Sequence, residues 1–382
     1  MDRGNQHMGN REIKILLTSD IHLGLGGAGA PVPEKARMNT FKRIVSLARE
    51  HDILLIAGDL IDGVALDKET LDVIRAEFNG LRENNVEILL TPGPGELTPD
   101  KTVAPFLFDL RATYIFTSPE AAVPYTFTKE DQRVYFYGIP SSYSHDIAKI
   151  KKTSNDGFHI GLFHVEFEIE NGGPRESVFK LHKKSLKKLE LDFYALGHNH
   201  NFKMFKVADR IIGTYPGSPE ATGFGETGDR YVISISLKNN EIFQIKRLSV
   251  NSVKICDSVI DCSAPESQNA MHKILDESKG KNVVHRLTLT GFRDYVLNRE
   301  SINQYKDLYL DVVFCDESIP TVNTQINEYG SGESIRGEFY RNLKEDIKKG
   351  SVPAEVDLDT IAKLLHTVST LGYEHLEEWL CG

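Results

Sequence analysis

Residues of metal-binding type follow apolar runs at several places in this chain. In chain order they are Asp20-Ile21-His22, Gly58-Asp59, Gly93-Pro94-Gly95-Glu96, His164 and Gly197-His198-Asn199-His200. Carboxylates and neutral imidazoles form the mixed oxygen and nitrogen ligand sets that suit Mn²⁺, Fe²⁺ or Zn²⁺. A carboxylate such as Asp59 can bridge two ions about 3.5–4 Å apart, and such a pair can clamp a phosphate and activate water. The residue types therefore predict a two-metal site with phosphoester chemistry.

Each motif taken alone has a simpler structural explanation. Asp20 could cap a turn or a helix, His164 could be a core histidine, and His198 with His200 could be a surface pair. The metal site is favoured because all the motifs occur in order, each at the end of an apolar run.

The apolar runs before the first three motifs predict buried strands. They are IKILLTSD (13–20), DILLIAGD (52–59) and VEILLTPG (86–93), and each stops at turn residues. Almost continuous apolar runs are typical of strands covered on both faces. Helical spacing over 34–50 and 68–83 separates them. Because ligands bind at the carboxyl ends of strands in layered α/β sheets, the motifs should meet at one edge.

A second series of strands is predicted at 134–140, 158–164, 191–198, 210–218, 230–237 and 241–248. The last two should form a hairpin through Lys238-Asn239-Asn240. The fold class predicted for residues 11–250 is therefore α/β (α+β), a two-sheet layered sandwich flanked by helices.

The rest of the chain has a different pattern. Strand-like segments at 253–260, 283–291 and 307–314, with a helix at 266–277, predict a small β-α-β cap over 251–325. A polar stretch at 321–333 is interpreted as a linker. A helical tail follows over 334–382, and its apolar positions Ile361, Leu364, Leu365, Val368 and Leu371 fit either a core or a partner-docking face.

Composition narrows the function classes. A length of 382 residues suits two or three domains. The net charge of −10 argues against coating nucleic acid by bulk charge. A local basic face stays open, because lysines recur at helical spacing, either as a phosphate-contacting stripe or as a solvated surface: Lys180, Lys183, Lys184, Lys187 and Lys188.

The same composition predicts a cytoplasmic protein with no membrane partner. Its four cysteines are far apart and lack a metal or redox spacing, so reduced thiols are expected. No apolar run reaches the ~18 residues of a membrane span. Residues 1–10, which contain Gln6-His7-Met8, are interpreted as a tag or a disordered segment.

In this order the motifs resemble those of the calcineurin-like metallophosphoesterases. The run TSDIHLG (18–24) is most similar to the Mre11/SbcD branch of DNA repair nucleases, and ALGHNH (195–200) and TYPGSPEATGFGE (214–226) carry the same resemblance. It implies these ligands: Asp20, His22 and His200 for one metal, Asp59 as the bridge, and His164 and His198 for the other. The implied cofactor is a pair of divalent ions. Mn²⁺ is the preferred identity, with Fe²⁺, Zn²⁺ or Mg²⁺ as alternatives.

The block Gly93-Pro94-Gly95-Glu96 departs from the resemblance. The family pattern there is Gly-Asn-His followed by Asp or Glu, in which the Asn binds metal and the His handles a proton or stabilises phosphate charge. Proline has no side-chain donor or acceptor, and Gly95 has no side chain. Glu96 is expected to support a neighbouring histidine. The block could therefore belong to a slow nuclease, to a metal- and DNA-binding subunit without turnover, or to an engineered protein.

The resemblance also implies partners. These are DNA, an SbcC/Rad50-like coiled-coil ATPase docked on the helical tail, and a second copy of the chain in a homodimer. The cap over 251–325 would then be a DNA-binding module. A small-molecule phosphoesterase without a DNA partner is the alternative from another class.

Overall fold

The chain forms two compact units, residues 1–254 and residues 255–382. The computed structural model describes residues 12–25, 30–62, 67–118, 123–168, 180–182, 188–207, 209–352 and 357–371. Residues 1–10, interpreted as a tag or a disordered segment, lie outside the described residues.

The strands described in the first unit are β1 (Glu12–Thr18), β2 (Ile53–Ala57), β3 (Glu87–Thr91), β4 (Tyr114–Ile115), β5 (Tyr125–Lys129), β6 (Gln132–Gly138), β7 (Phe158–His164), β8 (Glu166–Glu168), β9 (Lys180–His182), β10 (Phe193–Gly197), β11 (Lys203–Val207), β12 (Arg210–Tyr215), β13 (Tyr231–Lys238) and β14 (Glu241–Ser249). Its α-helices are α1 (Glu34–Ala48) and α2 (Lys68–Glu83), and its 3₁₀ helices are Pro94–Glu96, Pro105–Leu110 and Ser141–Lys149.

Within the described residues these strands build two six-stranded sheets. The first has the order β14-β13-β1-β2-β3-β4 and the second β11-β12-β10-β7-β6-β5. The predicted hairpin is present, because β13 and β14 pair antiparallel. The predicted fold class, a two-sheet α/β sandwich with helices, is confirmed.

Burial of β2 explains why its sequence is continuously apolar. All five of its residues are buried. Leu54 and Ile56 pack with α1 and α2 through Phe41 and Phe78. Ile53, Leu55 and Ala57 point the other way and pack with the second sheet, against residues such as Ile160 and Phe193. A strand covered on both faces has no polar face to alternate with.

Parallel pairing brings the motifs to the ends of neighbouring strands. Strands β1, β2 and β3 are parallel neighbours, so Asp20, Asp59 and the Gly93–Glu96 block follow the same edge of the first sheet. Strands β7 and β10 are also parallel neighbours. His164 is the last residue of β7, and His198 directly follows β10.

The second unit contains β15 (Lys254–Asp261), β16 (Gly280–Thr290), β17 (Phe292–Arg293), β18 (Tyr309–Asp316) and β19 (Ile319–Pro320). Its α-helices are α3 (Ser267–Ser278), α4 (Arg299–Asn303), α5 (Val322–Tyr329), α6 (Ile335–Lys349) and α7 (Leu358–Leu371), with a 3₁₀ helix at Lys306–Leu308. A three-stranded sheet of order β15-β16-β18 packs on α3 through Met271 and Leu275. The sequence predicts strand-like segments and a helix in this region, and the division into a separate module over 251–325 stays a prediction. Its role as a cap stays a prediction.

The linker predicted at 321–333 is wrong, because α5 occupies most of it. Thr321 caps the helix by accepting from the Thr324 backbone N–H, and Val322 and Ile326, four residues apart, are buried together. The Asn and Gln residues make this segment polar overall, so the sequence did not predict a helix from its short apolar stripe.

The apolar stripe of α7 lies partly in the core of this unit. Ala362 is buried with Val322 and Ile326, and Ile361 and Leu365 pack against them. The last part of the predicted tail, residues 372–382, lies outside the described residues. Docking of the tail on a partner therefore stays a prediction, and it would have to use other surfaces than these.

Three further expectations have partial outcomes. The helix predicted from the spacing of the lysines is wrong at Lys180, which lies in strand β9. Residues 183–187 lie outside the described residues. Cys256, Cys262 and Cys315 are thiols, and Cys381 is outside the described part. Among the described helices, none combines the length and the apolar character that a membrane crossing needs.

Candidate metal centre

Five of the six predicted ligands lie in two overlapping groups. Asp20, His22 and His200 form one, and Asp20, Asp59 and His164 form the other. Within each group one possible ligand atom per residue lies within 4.8 Å of the others. Asp20 belongs to both groups, so the structure brings together carboxylates and imidazoles from the ends of four strands.

The backbone at these residues is unusual. Asp20, His22 and Asp59 have φ angles of 52°, 52° and 50°. Asp and His are among the residues that tolerate this left-handed region best. The two turns are joined by hydrogen bonds from the Asp20 N–H to the Gly58 carbonyl (3.0 Å) and from the His22 N–H to the Asp59 carbonyl (2.9 Å). These two hydrogen bonds hold the turns together, and they thereby fix the directions in which the side chains of Asp20, His22 and Asp59 leave the sheet.

On one side of the cluster two imidazole nitrogens face each other. His22 Nε2 and His200 Nε2 are 3.3 Å apart, and His200 Nε2 is 3.8 Å from Asp20 Oδ1. Asp20 is fully buried, and its carboxylate accepts the His198 backbone N–H at 3.0 and 3.2 Å. This is a compact donor set for one divalent cation.

On the other side, His164 is oriented toward Asp59. Its Nδ1 is 2.9 Å from the Ala57 carbonyl oxygen, to which it donates. Its Nε2 is 3.4 Å from Asp59 Oδ2, is buried, and has no hydrogen-bond partner among the described residues. A buried nitrogen lone pair without a partner is costly. A divalent cation beside Asp59 would satisfy it, so these residues fit a metal.

The sixth predicted ligand, His198, belongs to neither group. Its ring packs edge-on against that of His164, with centroids 5.5 Å apart. Its φ is 98°, and its backbone N–H is committed to Asp20. The structure thus places His198 beside the cluster.

Burial affects the histidines differently. It lowers the pKa of His22, and burial together with the neighbouring His164 lowers the pKa of His198, so both favour the neutral form that binds metal. Burial alone would also lower the pKa of His200, but its hydrogen bond to Glu226 and nearby carboxylates raise it overall. The pKa of Glu226 falls to about 2 despite its burial, because His200, Ser218 and Thr222 donate to it.

The altered block, Gly93–Glu96, forms hydrogen bonds that hold the turn around Asp59. Pro94–Glu96 is a 3₁₀ turn, and the Gly95 N–H donates to Asp59 Oδ1 at 2.8 Å. Glu96 is fully buried. Its carboxylate accepts the backbone N–H groups of Asp59, Ile61 and Gly93 at 3.0, 2.9 and 2.8 Å. Burial and the charge of Asp59 raise the pKa of Glu96. The expected histidine partner of Glu96 is replaced by three backbone donors.

The sequence reasoning missed the residues behind His200. Glu226 Oε1 is 2.7 Å from His200 Nδ1, and Ser218, Thr222 and Arg230 surround Glu226. The only available signal was their clustering in and just after TYPGSPEATGFGE, the run that carries the family resemblance.

Fold and site together define a class of protein: a two-sheet α/β sandwich whose strand ends carry a carboxylate and imidazole cluster suited to divalent cations. Residues 13–202, which contain both groups, match the family model for calcineurin-like phosphoesterases, and this region of the chain belongs to that family. Members are metal-dependent phosphoesterases, so the coarser prediction of a metallophosphoesterase family is confirmed.

Two curated proteins are similar to the chain. The uncharacterized metallophosphoesterase YhaO of Bacillus subtilis is 24% identical over 309 residues, 73% of this chain and 72% of that protein. A DNA double-strand break repair protein Mre11 of Methanopyrus kandleri is 28% identical over 233 residues, 57% of this chain and 51% of that protein. The match thus spans about half the length of the archaeal protein. A solved dimetal phosphatase from Danio rerio is 12% identical with a TM-score of 0.36, covering 63% of this chain and 98% of that chain.

Proposed function

We propose that this chain is a divalent-metal-dependent phosphodiesterase that acts on DNA. The observation that carries the proposal is the convergence of Asp20, His22, Asp59, His164 and His200 at the ends of four strands. The similarity to a double-strand break repair protein favours DNA as the substrate.

The proposed ligands are Asp20, His22 and His200 for one ion, Asp59 as the bridge, and His164 and His198 for the other. Bound Mn²⁺ would supply charge to clamp the phosphate and lower the pKa of the attacking water. In the protein, His164 Nδ1 donates to the Ala57 carbonyl and His200 Nδ1 lies against Glu226. The N–H groups of His198 and Gly95 hold Asp20 and Asp59.

The altered block predicts slow turnover. A positioned general acid contributes typically about 10²–10⁴-fold to rate, and Gly95 offers no such group. The same observation favours a second candidate function, a subunit that binds metal and DNA without turning DNA over.

Asp59→Asn tests the proposal. Turnover of DNA ends and of a bis-phosphodiester should require Mn²⁺ and fall by at least about 10²-fold in this variant, because the bridging charge is lost. Asp72→Asn is the matched control, since Asp72 is exposed and pairs with Arg75 on α2. Equal turnover by Asp59→Asn and the wild type would contradict metal catalysis at this site.

The other outcomes separate the candidate functions. Turnover of the small diester without turnover of DNA would make the protein a small-molecule phosphoesterase. Mn²⁺ and DNA binding without any turnover would make it the inactive subunit.

The partners are proposed on the resemblance and on the similarity to the archaeal protein. They are DNA, an SbcC/Rad50-like coiled-coil ATPase and a second copy of this chain. On α6, the side chain of Phe339 is 48% exposed, which makes it the first contact to test. Phe339→Glu should weaken binding to a coiled-coil fragment without changing metal binding, and light scattering should report a dimer.

A further inference from the structure

The carboxylate of Glu226 lies directly behind His200. Its Oε1 is 2.7 Å from His200 Nδ1, while the other ring nitrogen, Nε2, faces His22 and Asp20. Nε2 can bind a cation only when it carries no proton, and a neutral imidazole must then hold its proton on Nδ1. The identity of the partner at Nδ1 therefore matters for the metal centre.

The hydrogen bonds around Thr222 leave one assignment of the protons. Thr222 Oγ1 is 3.1 Å from His200 Nδ1 and donates its single hydroxyl proton to Glu226 Oε1. Having used that proton, it can only accept from Nδ1. Both neighbours of Nδ1 are thus acceptors, which requires Nδ1 to be the donor.

The second oxygen of Glu226 is also committed. Oε2 accepts from the Ser218 hydroxyl at 2.6 Å and from the Thr222 N–H at 3.0 Å, and Arg230 lies 3.5 Å away. The Glu226 side chain is only 13% exposed. Its carboxylate is held in place on both oxygens, so it is fixed as an acceptor for His200 and is not available to bind an ion itself.

Arg230 connects this carboxylate to the backbone of the same histidine. Its side chain is 6% exposed. It donates to the Ser218 carbonyl at 2.9 Å, to the Ser218 hydroxyl at 2.7 Å, and to the His200 carbonyl. The position of the His200 main chain and the position of its side-chain acceptor are therefore set by one buried guanidinium.

We infer that Glu226 is a positioning residue that fixes the tautomer and orientation of His200, so that Nε2 is ready to bind a divalent cation. Among the described residues, His164 meets only a neutral carbonyl at its Nδ1. A carboxylate acceptor makes an imidazole a stronger metal ligand than a neutral carbonyl does. His200 is therefore the stronger imidazole ligand of the two. The inference rests on the proposed metal-dependent function.

Glu226→Gln tests it, with Glu220→Gln as the matched control. Glu220 lies in the same loop and is fully buried, but it accepts from Thr40 and from the Ser252 and Val253 N–H groups. The full-length variants are titrated with Mn²⁺ by calorimetry, and their Tm is measured without metal. Glu226→Gln should weaken Mn²⁺ binding by about 10–100-fold, and Glu220→Gln should lower Tm without this loss. Equal Mn²⁺ affinity in Glu226→Gln and the wild type would overturn the inference.

A second measurement needs no variant to fold. ¹⁵N NMR of the metal-free wild type, at a pH where His200 is neutral, should show the Nδ1–H tautomer. A predominant Nε2–H tautomer would overturn the inference even if the protein binds no metal. Absent turnover with intact Mn²⁺ binding would instead count against the proposed function alone.

Discussion

Single residues at the candidate centre adopt backbone conformations that most side chains avoid. Asp20, His22 and Asp59 all have positive φ, and each such residue costs on the order of 1–3 kcal/mol. Gly58 has a φ of 82°, and a Cβ there would lie 2.4 Å from His164 Nδ1. The turn after β2 therefore requires glycine, both for its backbone and to leave room for the imidazole of His164.

Gly95 is under a similar constraint, which gives a prediction for the altered block. A Cβ at Gly95 would lie 2.2 Å from the Ile61 carbonyl oxygen and 3.2 Å from Asp59 Oδ1. Gly95→Ala should therefore destabilise the protein by about 1–3 kcal/mol and weaken Mn²⁺ binding, because the Asp59 turn must shift. Urea unfolding and calorimetric titration measure the two effects.

Gly223→Ala is the control, since a Cβ at Gly223 meets no atom within 4 Å. If Gly95→Ala were as stable as Gly223→Ala, the turn would be looser than the structure shows. The same contact means that placing Asn and His at 94 and 95 requires the turn to be rebuilt, so that exchange alone would not restore the family's site.

At the scale of elements, the sheets position the turns, and hydrogen bonds between the turns hold them in place. Glu96, in the turn after β3, accepts the N–H groups of Asp59 and Ile61 in the turn after β2. The two strands are hydrogen-bonded neighbours, so this carboxylate extends their pairing beyond the ends of the strands. The sequence could not predict it, because Glu96 and Asp59 are 37 residues apart.

Glu96→Gln should therefore act on two turns at once. The amide –NH₂ would face at least one backbone donor, and a buried donor without an acceptor costs about 1–3 kcal/mol. Unfolding free energy and Mn²⁺ affinity should both fall. Glu87→Gln, at the start of β3 where Glu87 accepts from the Tyr125 hydroxyl, should change stability less and Mn²⁺ affinity not at all. Unchanged Mn²⁺ affinity in Glu96→Gln would show that the hydrogen bonds of Glu96 to the two turns do not support the metal centre.

Elements with a strong local signal were predictable, and those that depend on distant contacts were not. The apolar runs predicted β1, β2, β3, β7 and β10 to within about two residues. Helix α5 was missed because two of its four buried residues, Thr324 and Gln325, are polar. The network at Glu226 was missed because it joins residues on separate loops, and no local pattern marks which carboxylate will meet His200.

At the scale of the whole molecule, each of the two units has its own core. The first unit has a cluster between its sheets around Ile15, Leu55 and Ile160. The second has clusters around Leu275 and Leu287 and around Val322 and Tyr340. Since Tyr340 lies in α6, a truncation before residue 334 would remove part of the core of the second unit.

A chain that ends at Lys254 should therefore fold and bind Mn²⁺ like the full chain. All six predicted ligands, Glu96 and Glu226 lie before this point, and unit 1 ends there. We expect cooperative unfolding and an Mn²⁺ affinity within about threefold of the full-length value, since all the groups that fix the ligands are retained. A chain that ends at residue 333 is the comparison, and it should be less stable because it exposes Val322 and Ile326. An insoluble product ending at Lys254, beside a stable one ending at 333, would show that the first unit depends on the second.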